Sequence, residues 1–430
     1  MDYIEKLLIN YLPDDAERAK LSHIADDVLE AIRDICRTEK INAKAVEVGS
    51  VSKHTNLKCS DIDIFITFSR EYSTEFIEKK GLEIGHRILK NGFEKYAEHP
   101  YVSGTIDSVK IDIVPAYMIE EGQHIISTVD RTPLHTKYVN EHADKDKLHD
   151  ILLLKAFMKS INVYGSEIFT SGFSGYLCEV LIIHYNSFNG FIKHMSGLKG
   201  KLIVPENYDD ASRYREPVII IDPVDSTRNA GAAVSEENLS KLKLACKIYL
   251  AGDYSLLTGN GKIAINRKNN IKIFLMPKPD IIDDIIYPQA VRFKNKIWNI
   301  FKNFDFLPIS SEIYMGKEIQ ILIEYERESM PAIKIHQGPP VYSNEAIKFI
   351  NIWNNDNRLM RGPYIIGDRV YADVKNIDEK FDDIFWREIL KIDIGKNLDN
   401  HIKDLKIINY EEGMKMEVID KFYSKYLFSK

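Results

Sequence analysis

With 430 residues, 44% of them hydrophobic, the chain exceeds what one core can hold and should divide into two to four domains. Its formal charge of −6 excludes indiscriminate polyanion binding, so an RNA partner would have to be held by local basic patches and by shape. Four scattered cysteines (Cys36, Cys59, Cys178, Cys246) lack paired ligand spacing, which excludes a zinc site and reads as reduced thiols of a cytoplasmic protein.

At the N-terminus Asp2 and Glu5 precede only a short apolar run, so no signal segment is expected; nor does any stretch reach the roughly 20 apolar residues that span a bilayer. Pro13-Asp14-Asp15 is a start signal, and Leu21, Ile24, Ala25, Val28, Leu29, Ile32 and Ile35 at helical spacing predict an amphipathic helix over 14–38. Val46 to Val48 is a short apolar strand that ends at Gly49-Ser50. There a residue without Cβ lets backbone N–H groups approach a phosphate, and the hydroxyl adds a donor. After a polar turn, residues 61–68 alternate. Ile62, Ile64, Ile66 and Phe68 face a core, and Asp61 and Asp63 lie on the opposite face. Two residues of strand span about 7 Å, so both carboxylates can reach one metal ion or a pair about 4 Å apart. Residues 74–97 are expected to be mostly helix. Residues 101–115 read as a hairpin turning near Asp107-Ser108, with Val109, Ile111 and Ile113 inward and Asp112 on the other face. This mixed α/β region ends near 142.

Residues 144–163 predict a helix that opens a more helical region, and Ser174 with Gly175 caps the next one, whose run from Leu177 to Ile183 is core. A lysine-bearing loop, an acidic block at 221–229 and a helix through Tyr249 follow. From about 260 the pattern changes to short strands at 262–266, 271–276 and 318–325, punctuated by Pro277, Pro279 and Pro288. Between them, 291–302 is a basic amphipathic helix with aromatic residues on its other face. Residues 341–353 predict a helix, 364–374 a hairpin turning at Gly367-Asp368, and the tail from Asp378 has helical pattern.

Paired aspartates on a strand are often plain solvated surface. A third acid changes that reading: Asp112, among apolar neighbours, has little reason to be there without a partner. Three carboxylates on one sheet surface repel one another, and a divalent ion removes that cost. Beside a phosphate cradle, the set suits nucleotide chemistry with Mg2+, a hard cation that prefers oxygen. Gly49-Ser50, then Asp61-Ile62-Asp63, then a single Asp on a later strand resembles the polymerase-β-like nucleotidyltransferases. Further blocks are similar to those of the archaeal, class I CCA-adding enzymes (tRNA nucleotidyltransferases): Val129 to His135, Tyr164-Gly165, Gly172 to Glu179, His336 to Pro340 and Arg361 to Tyr364. They run in order through nearly the whole chain.

The resemblance implies a multidomain α+β fold. Residues 1–142 would be a nucleotidyltransferase catalytic domain with a mixed sheet and helices. Residues 143–259 would be a helical central domain for nucleotide and base recognition, and 260–430 an α+β body and tail that bind tRNA. The implied activity is template-independent addition and repair of the tRNA 3′-terminal CCA with CTP and ATP. Asp61 and Asp63 would bridge two Mg2+ ions, and Asp112 would ligate the ion that acidifies the primer hydroxyl. Gly49, Ser50 and Lys53 would cradle the triphosphate, Lys53 as a point charge where Arg also occurs. His135, Lys155 and Tyr164 would surround the nucleotide, and Arg228 would hydrogen-bond the Watson–Crick edge of C or A. Arg292, Lys294, Lys296 and Lys302 would contact the upper, acceptor-arm half of tRNA. Each has a plainer alternative: Tyr164 ending a helix, Lys155 snorkelling, His135 satisfying a loop carbonyl, the lysine helix as docked surface. His54 stands where the family often has a small residue and would crowd the loop unless turned outward, and the loop to Asp61 is about one residue short. A poly(A) polymerase of the same superfamily, or a silent nucleotide- or RNA-binding regulator, are the competing readings; a homodimer is left open.

Overall fold

The computed structural model describes residues 3–96, 99–119, 123, 125–258, 270–376, 379–391, 393–409, 417–423 and 427–428. Helix α1 (Tyr3–Tyr11) precedes α2 (Asp15–Thr38), whose N-cap Asp14 accepts a hydrogen bond from the Glu17 N–H at 2.7 Å. Strand β1 (Ala43–Val48) runs into the single-turn helix α3 (Gly49–Ser52), and β2 (Ile62–Phe68) returns antiparallel to β1. Then come α4 (Thr74–Ile88), β3 (Phe93–Tyr96), β4 (Pro100–Ile106) and β5 (Val109–Tyr117). The sheet has the order β1-β2-β5-β4-β3, with β2 and β5 parallel and the other pairs antiparallel. Asp107 and Ser108, both at positive φ, make the two-residue turn whose twist suits a hairpin.

The alternation in β2 decides how this sheet is covered. Ile62, Ile64, Ile66 and Phe68 are fully buried under α2 and α4, in one core with Ile32, Ile77, Ile84, Val102, Ile111 and Ile113. The other face is not open, as simple alternation implies. Phe65 packs there with Val48, Val114 and Ala116 into a second, small core, so the acids stand at the end of a covered sheet. Residues 93–96, expected as helix, form β3. Lys90-Asn91-Gly92 breaks the helical run, and a Cβ on Gly92 would overlap Val102, so the chain turns there into the sheet edge.

A 3-10 turn at Thr128–Asp130 leads into α5 (Arg131–His142). The following helices are α6 (Lys145–Ser160), α7 (Gly175–Tyr185) with Ser174 as its N-cap, and α8 (Phe188–Gly197). Helix α8 occupies the segment read as a lysine-bearing loop; it buries Phe188, Phe191, Ile192 and Met195 at helical spacing. The region is also not wholly helical. Strands β6 (Leu202–Val204), β7 (Val218–Asp222) and β8 (Asp225–Asn229) make a small sheet, so the acidic block is a hairpin. Helices α9 (Glu236–Ala251) and α10 (Ser255–Thr258) complete it. Its core runs from Ile4 and Leu8 through Phe157, Phe173, Leu181 and Phe191 to Leu242. Residues Met1–Asn260 with Tyr426–Lys430 form one compact unit, so the first two expected domains fall within it; Gly261–Lys425 form the other.

The second unit contains β9 (Asn270–Pro277), α11 (Asp283–Asn303), β10 (Pro308–Met315), β11 (Glu318–Tyr325), β12 (Ile333–Pro340), α12 (Asn344–Asn354), β13 (Leu359–Ile366), β14 (Arg369–Lys375), α13 (Phe381–Ile389), β15 (Lys406–Asn409) and α14 (Glu417–Tyr423). Two antiparallel sheets result, β10-β11-β9-β15 and β12-β14-β13. Phe274, Phe293, Ile297, Phe301, Phe306, Phe381 and Phe385 are the centre of the larger core. Helix α11 starts well before Val291 and contains Pro288. The tail is not helix throughout, because β15 pairs with β9. The strand expected at 262–266 lies outside the described residues. Among the described residues no helix is long and apolar enough to cross a membrane.

Candidate active site

Parallel pairing of β2 and β5 sets Asp63 directly beside Asp112 in register. Asp61 immediately precedes β2. Gly49, at φ 79, begins α3 against the same spot: a Cβ added there would run into the Asp63 carboxylate. The three acids and the Gly49-Ser50 turn are therefore brought together. Lys110, two residues before Asp112 on the same face of β5, extends its ammonium to Asp61 and lies 3.3 Å from the Asp112 Oδ2. The Ser103 hydroxyl, across on β4, donates to the Asp112 Oδ1 at 2.5 Å. Burial, together with repulsion from Asp112 and Asp61, pushes the Asp63 carboxyl up to about 7. As the side chains stand, no three acidic, histidine or cysteine groups among the described residues enclose an ion; Lys110 is the cation that Asp61 and Asp112 face.

The residues expected around the nucleotide fall into two clusters, each built on a buried carboxylate. Lys53, the C-cap of α3, is 6% exposed and its Nζ donates to the Glu179 Oε2 at 2.5 Å. Lys155, on α6, donates to the Glu179 Oε1 at 2.8 Å and to the Thr55 carbonyl and hydroxyl at 3.0 Å each. The Thr55 hydroxyl in turn donates to the Glu179 Oε1 at 2.6 Å. Burial opposes the charge of Glu179, yet the two ammoniums hold its carboxyl well below the usual range. Lys155 is thus a buried ion-pair partner and not a snorkelling surface lysine. Tyr164 pairs with Phe173 in an isolated β-bridge, and a Cβ on Gly175 would lie 3.0 Å from its hydroxyl. Burial raises its phenol.

In the second cluster His135 Nε2 lies 2.9 Å from the Asp222 Oδ2, and Arg228 donates to that oxygen at 2.8 Å. The Tyr176 hydroxyl and the Val224 N–H donate to Oδ1 at 3.0 and 3.1 Å. Burial works against the charge of Asp222, but His135, Val224 N–H and Arg228 together bring its carboxyl down to about 2. Tyr176 joins the two clusters. Its ring stacks on His135 with centroids 3.8 Å apart, and the Lys53 ammonium lies 5.8 Å from its centroid. A cavity of about 640 Å3 lined by Arg131, Tyr138, Val224 and Asp225 borders the second cluster, since Val224 donates to Asp222, but neither the three acids nor Lys53, His135 or Arg228 lines it.

His54 is exposed at φ 54, so it is turned outward and leaves the loop uncrowded. Arg292, Lys294, Lys296 and Lys302 are all on α11, in the second unit. At about 100° per residue, Arg292 and Lys302 lie on the exposed side, away from the buried stripe Phe293-Ile297-Ile300, and Lys296 and Lys294 lie on its two opposite flanks. The four do not share a face. Ser103, Thr55, Lys110, Tyr176, Glu179 and Asp222 were not singled out from sequence. Lys110 was within reach, since it shares parity with Asp112.

A mixed sheet with two register-paired aspartates packed on a glycine turn defines the site of a nucleotidyltransferase domain. The family model described as the nucleotidyltransferase domain matches residues 29–135, that of the tRNA nucleotidyltransferase second domain 149–256, and that of the CCA-adding enzyme C-terminal domain 268–409. Curated relatives named CCA-adding enzyme match end to end. The one from Picrophilus torridus is 52% identical and that from Thermoplasma acidophilum 44%, each over 100% of both chains; that from Thermoplasma volcanium is 42% identical over 100% of this chain and 98% of its own. The chain belongs to the CCA-adding enzyme family.

Proposed function

We propose that this protein builds or repairs the 3′-terminal CCA of tRNA, taking CTP and ATP without a nucleic-acid template and releasing pyrophosphate. The observation that carries this reading is the pairing of Asp63 with Asp112 against the Gly49 turn, in a chain matched along its whole length by CCA-adding enzymes. Little covalent chemistry is asked of the protein; alignment and charge neutralisation do the work. Gly49, Ser50 and Lys53 hold the triphosphate. His135, Lys155, Tyr164 and Arg228 stand around the nucleotide, with Arg228 and His135 pre-oriented by Asp222.

The donor set fits a hard divalent cation in its chemistry: three carboxylates stand at one place, and burial with repulsion from Asp112 and Asp61 pushes the Asp63 carboxyl up to about 7, a cost that a bound cation would remove. Asp61, Asp63 and Asp112 would hold Mg2+, two ions in all, which when bound neutralise triphosphate charge and acidify the attacking hydroxyl. Lys110, with its side chain 38% exposed, can swing clear of Asp61 and Asp112. The 3′-oxygen bonds to the α-phosphorus as the bond to pyrophosphate breaks. Its proton is accepted at the Asp112 Oδ2, since Oδ1 is taken by Ser103. The second unit, with its basic helix α11, would bind the upper half of tRNA by phosphate contacts and shape. Such a reaction belongs in the cytoplasm, in keeping with four free cysteines.

The test is incubation with tRNA lacking its last three nucleotides and labelled CTP or ATP. The expected result is CCA completion that stops after A. Long A tails would mark a poly(A) polymerase, and no incorporation would mark a silent binder; either overturns the proposal.

A further inference from the structure

Glu179 is fully buried on α7, and among the described residues its carboxylate receives hydrogen bonds from Lys53 and Thr55, just after the phosphate turn, and from Lys155. The proton count is informative. An ammonium has three N–H donors. Lys155 directs all three at protein acceptors: the Thr55 carbonyl, the Thr55 hydroxyl and the Glu179 Oε1. Lys53 directs one at the Glu179 Oε2, which leaves two for a ligand. Two buried ammoniums and one carboxylate also leave a net positive charge at the end of the Gly49–Ser52 turn. Without the carboxylate the ammoniums would repel each other in a poorly solvated place, and Lys53 would have no reason to stay inward.

We infer that Glu179 is a positioning residue for the triphosphate: it anchors Lys53 and, through Lys155 and Thr55, the loop that carries it. This rests on the functional reading above, in which Lys53 meets the triphosphate. The part of the substrate concerned is common to CTP and ATP, so both should respond alike. This separates Glu179 from Asp222, whose partners His135 and Arg228 meet the variable part.

The experiment is a double-mutant cycle on the full chain, read as the dissociation constants of labelled CTP and ATP, with KM and kcat on tRNA and thermal melting in parallel. Loss of a charged hydrogen bond is worth roughly a factor of ten, so Glu179→Gln should weaken CTP and ATP binding about tenfold and equally, with the loss in KM rather than kcat. Lys53→Met should do the same, and the double variant should be no weaker than Lys53→Met alone, because Glu179 acts through Lys53. Unchanged affinity, a loss confined to one nucleotide, or losses that multiply in the double variant would overturn the inference. Should Glu179→Gln fail to fold, Thr55→Val removes one donor from Glu179 and must still weaken both nucleotides about threefold; unchanged binding there overturns it as well. Wild-type protein that passes the cycle but never completes CCA sinks the functional reading alone. Wild-type protein that completes CCA while the variants bind normally sinks only the role of Glu179.

Discussion

Asp112 carries the most direct prediction, because its two oxygens have separate tasks. Oδ1 is fixed by Ser103 and Oδ2 faces the Lys110 ammonium. Asp112→Asn keeps the shape and the Ser103 contact but cannot take a proton or hold a cation with full charge. Turnover should fall by about three orders of magnitude or more, while nucleotide affinity and melting temperature stay near wild type; an active Asp112→Asn enzyme would refute the assignment. Asp222 yields a pH prediction. Its carboxyl is lowered in the folded chain to about 2, so it contributes stability that is present above its unfolded value near 4 and is lost as pH falls through about 2. That contribution is about 2 kcal/mol at neutral pH. Asp222→Asn should therefore melt lower at pH 7 and show a flatter stability profile between pH 4 and 2, which acid unfolding followed by circular dichroism would reveal. The three acids could be picked out from sequence because strand parity turns each away from the core of its own strand, although only the β2–β5 register sets Asp63 beside Asp112. Glu179 and Asp222 could not, because Lys53 and His135 are 126 and 87 residues away from them and no local period connects the pairs.

At the scale of elements, α3 is where local backbone and site chemistry meet. Gly49 is required twice over, by its positive φ and by the Asp63 carboxylate that fills the place of its missing Cβ. Gly49→Ala should cost about 1–3 kcal/mol in stability through backbone strain and, by displacing Asp63 from the β2–β5 register, abolish incorporation. A variant that melted and worked like wild type would show that the turn can relax away from Asp63. Helix α2 was legible because burial of one face repeats along many residues, α6 because its apolar run is long, and β2 because its apolar residues alternate. β3 and β6 are short, and their pairing partners supply most of what holds them, so their own residues carry little signal. Helix α8 was obscured by its mixed composition, although Phe188, Phe191, Ile192 and Met195 recur at helical spacing.

For the whole molecule, a chain of net charge −6 can bind a polyanion only where its positive charge is concentrated, and α11 is the segment on which that expectation rests. The flanks of α11 limit how much it can contribute. One RNA duplex meets one side of the helix, so Lys294 and Lys296, about 160° apart on opposite flanks, do not both reach phosphates, whereas Arg292 and Lys302 on the exposed side can join either. Each phosphate contact contributes about 0.7–0.9 to the slope of log affinity against log salt concentration. Replacing all four with alanine should therefore reduce the slope for tRNA by at most three contacts' worth, about 2.1–2.7, and not by four contacts' worth, about 2.8–3.6. Titrations of labelled tRNA at several salt concentrations would measure it. The single variants Lys294→Ala and Lys296→Ala should divide: one reduces the slope by one contact's worth and the other leaves it unchanged. Since these residues lie in a different unit from Lys53 and Asp222, the dissociation constants of CTP and ATP without tRNA should not move. An unchanged slope in the fourfold variant would mean that the tRNA arm is held elsewhere in the second unit, by groups that no periodicity in the sequence singles out.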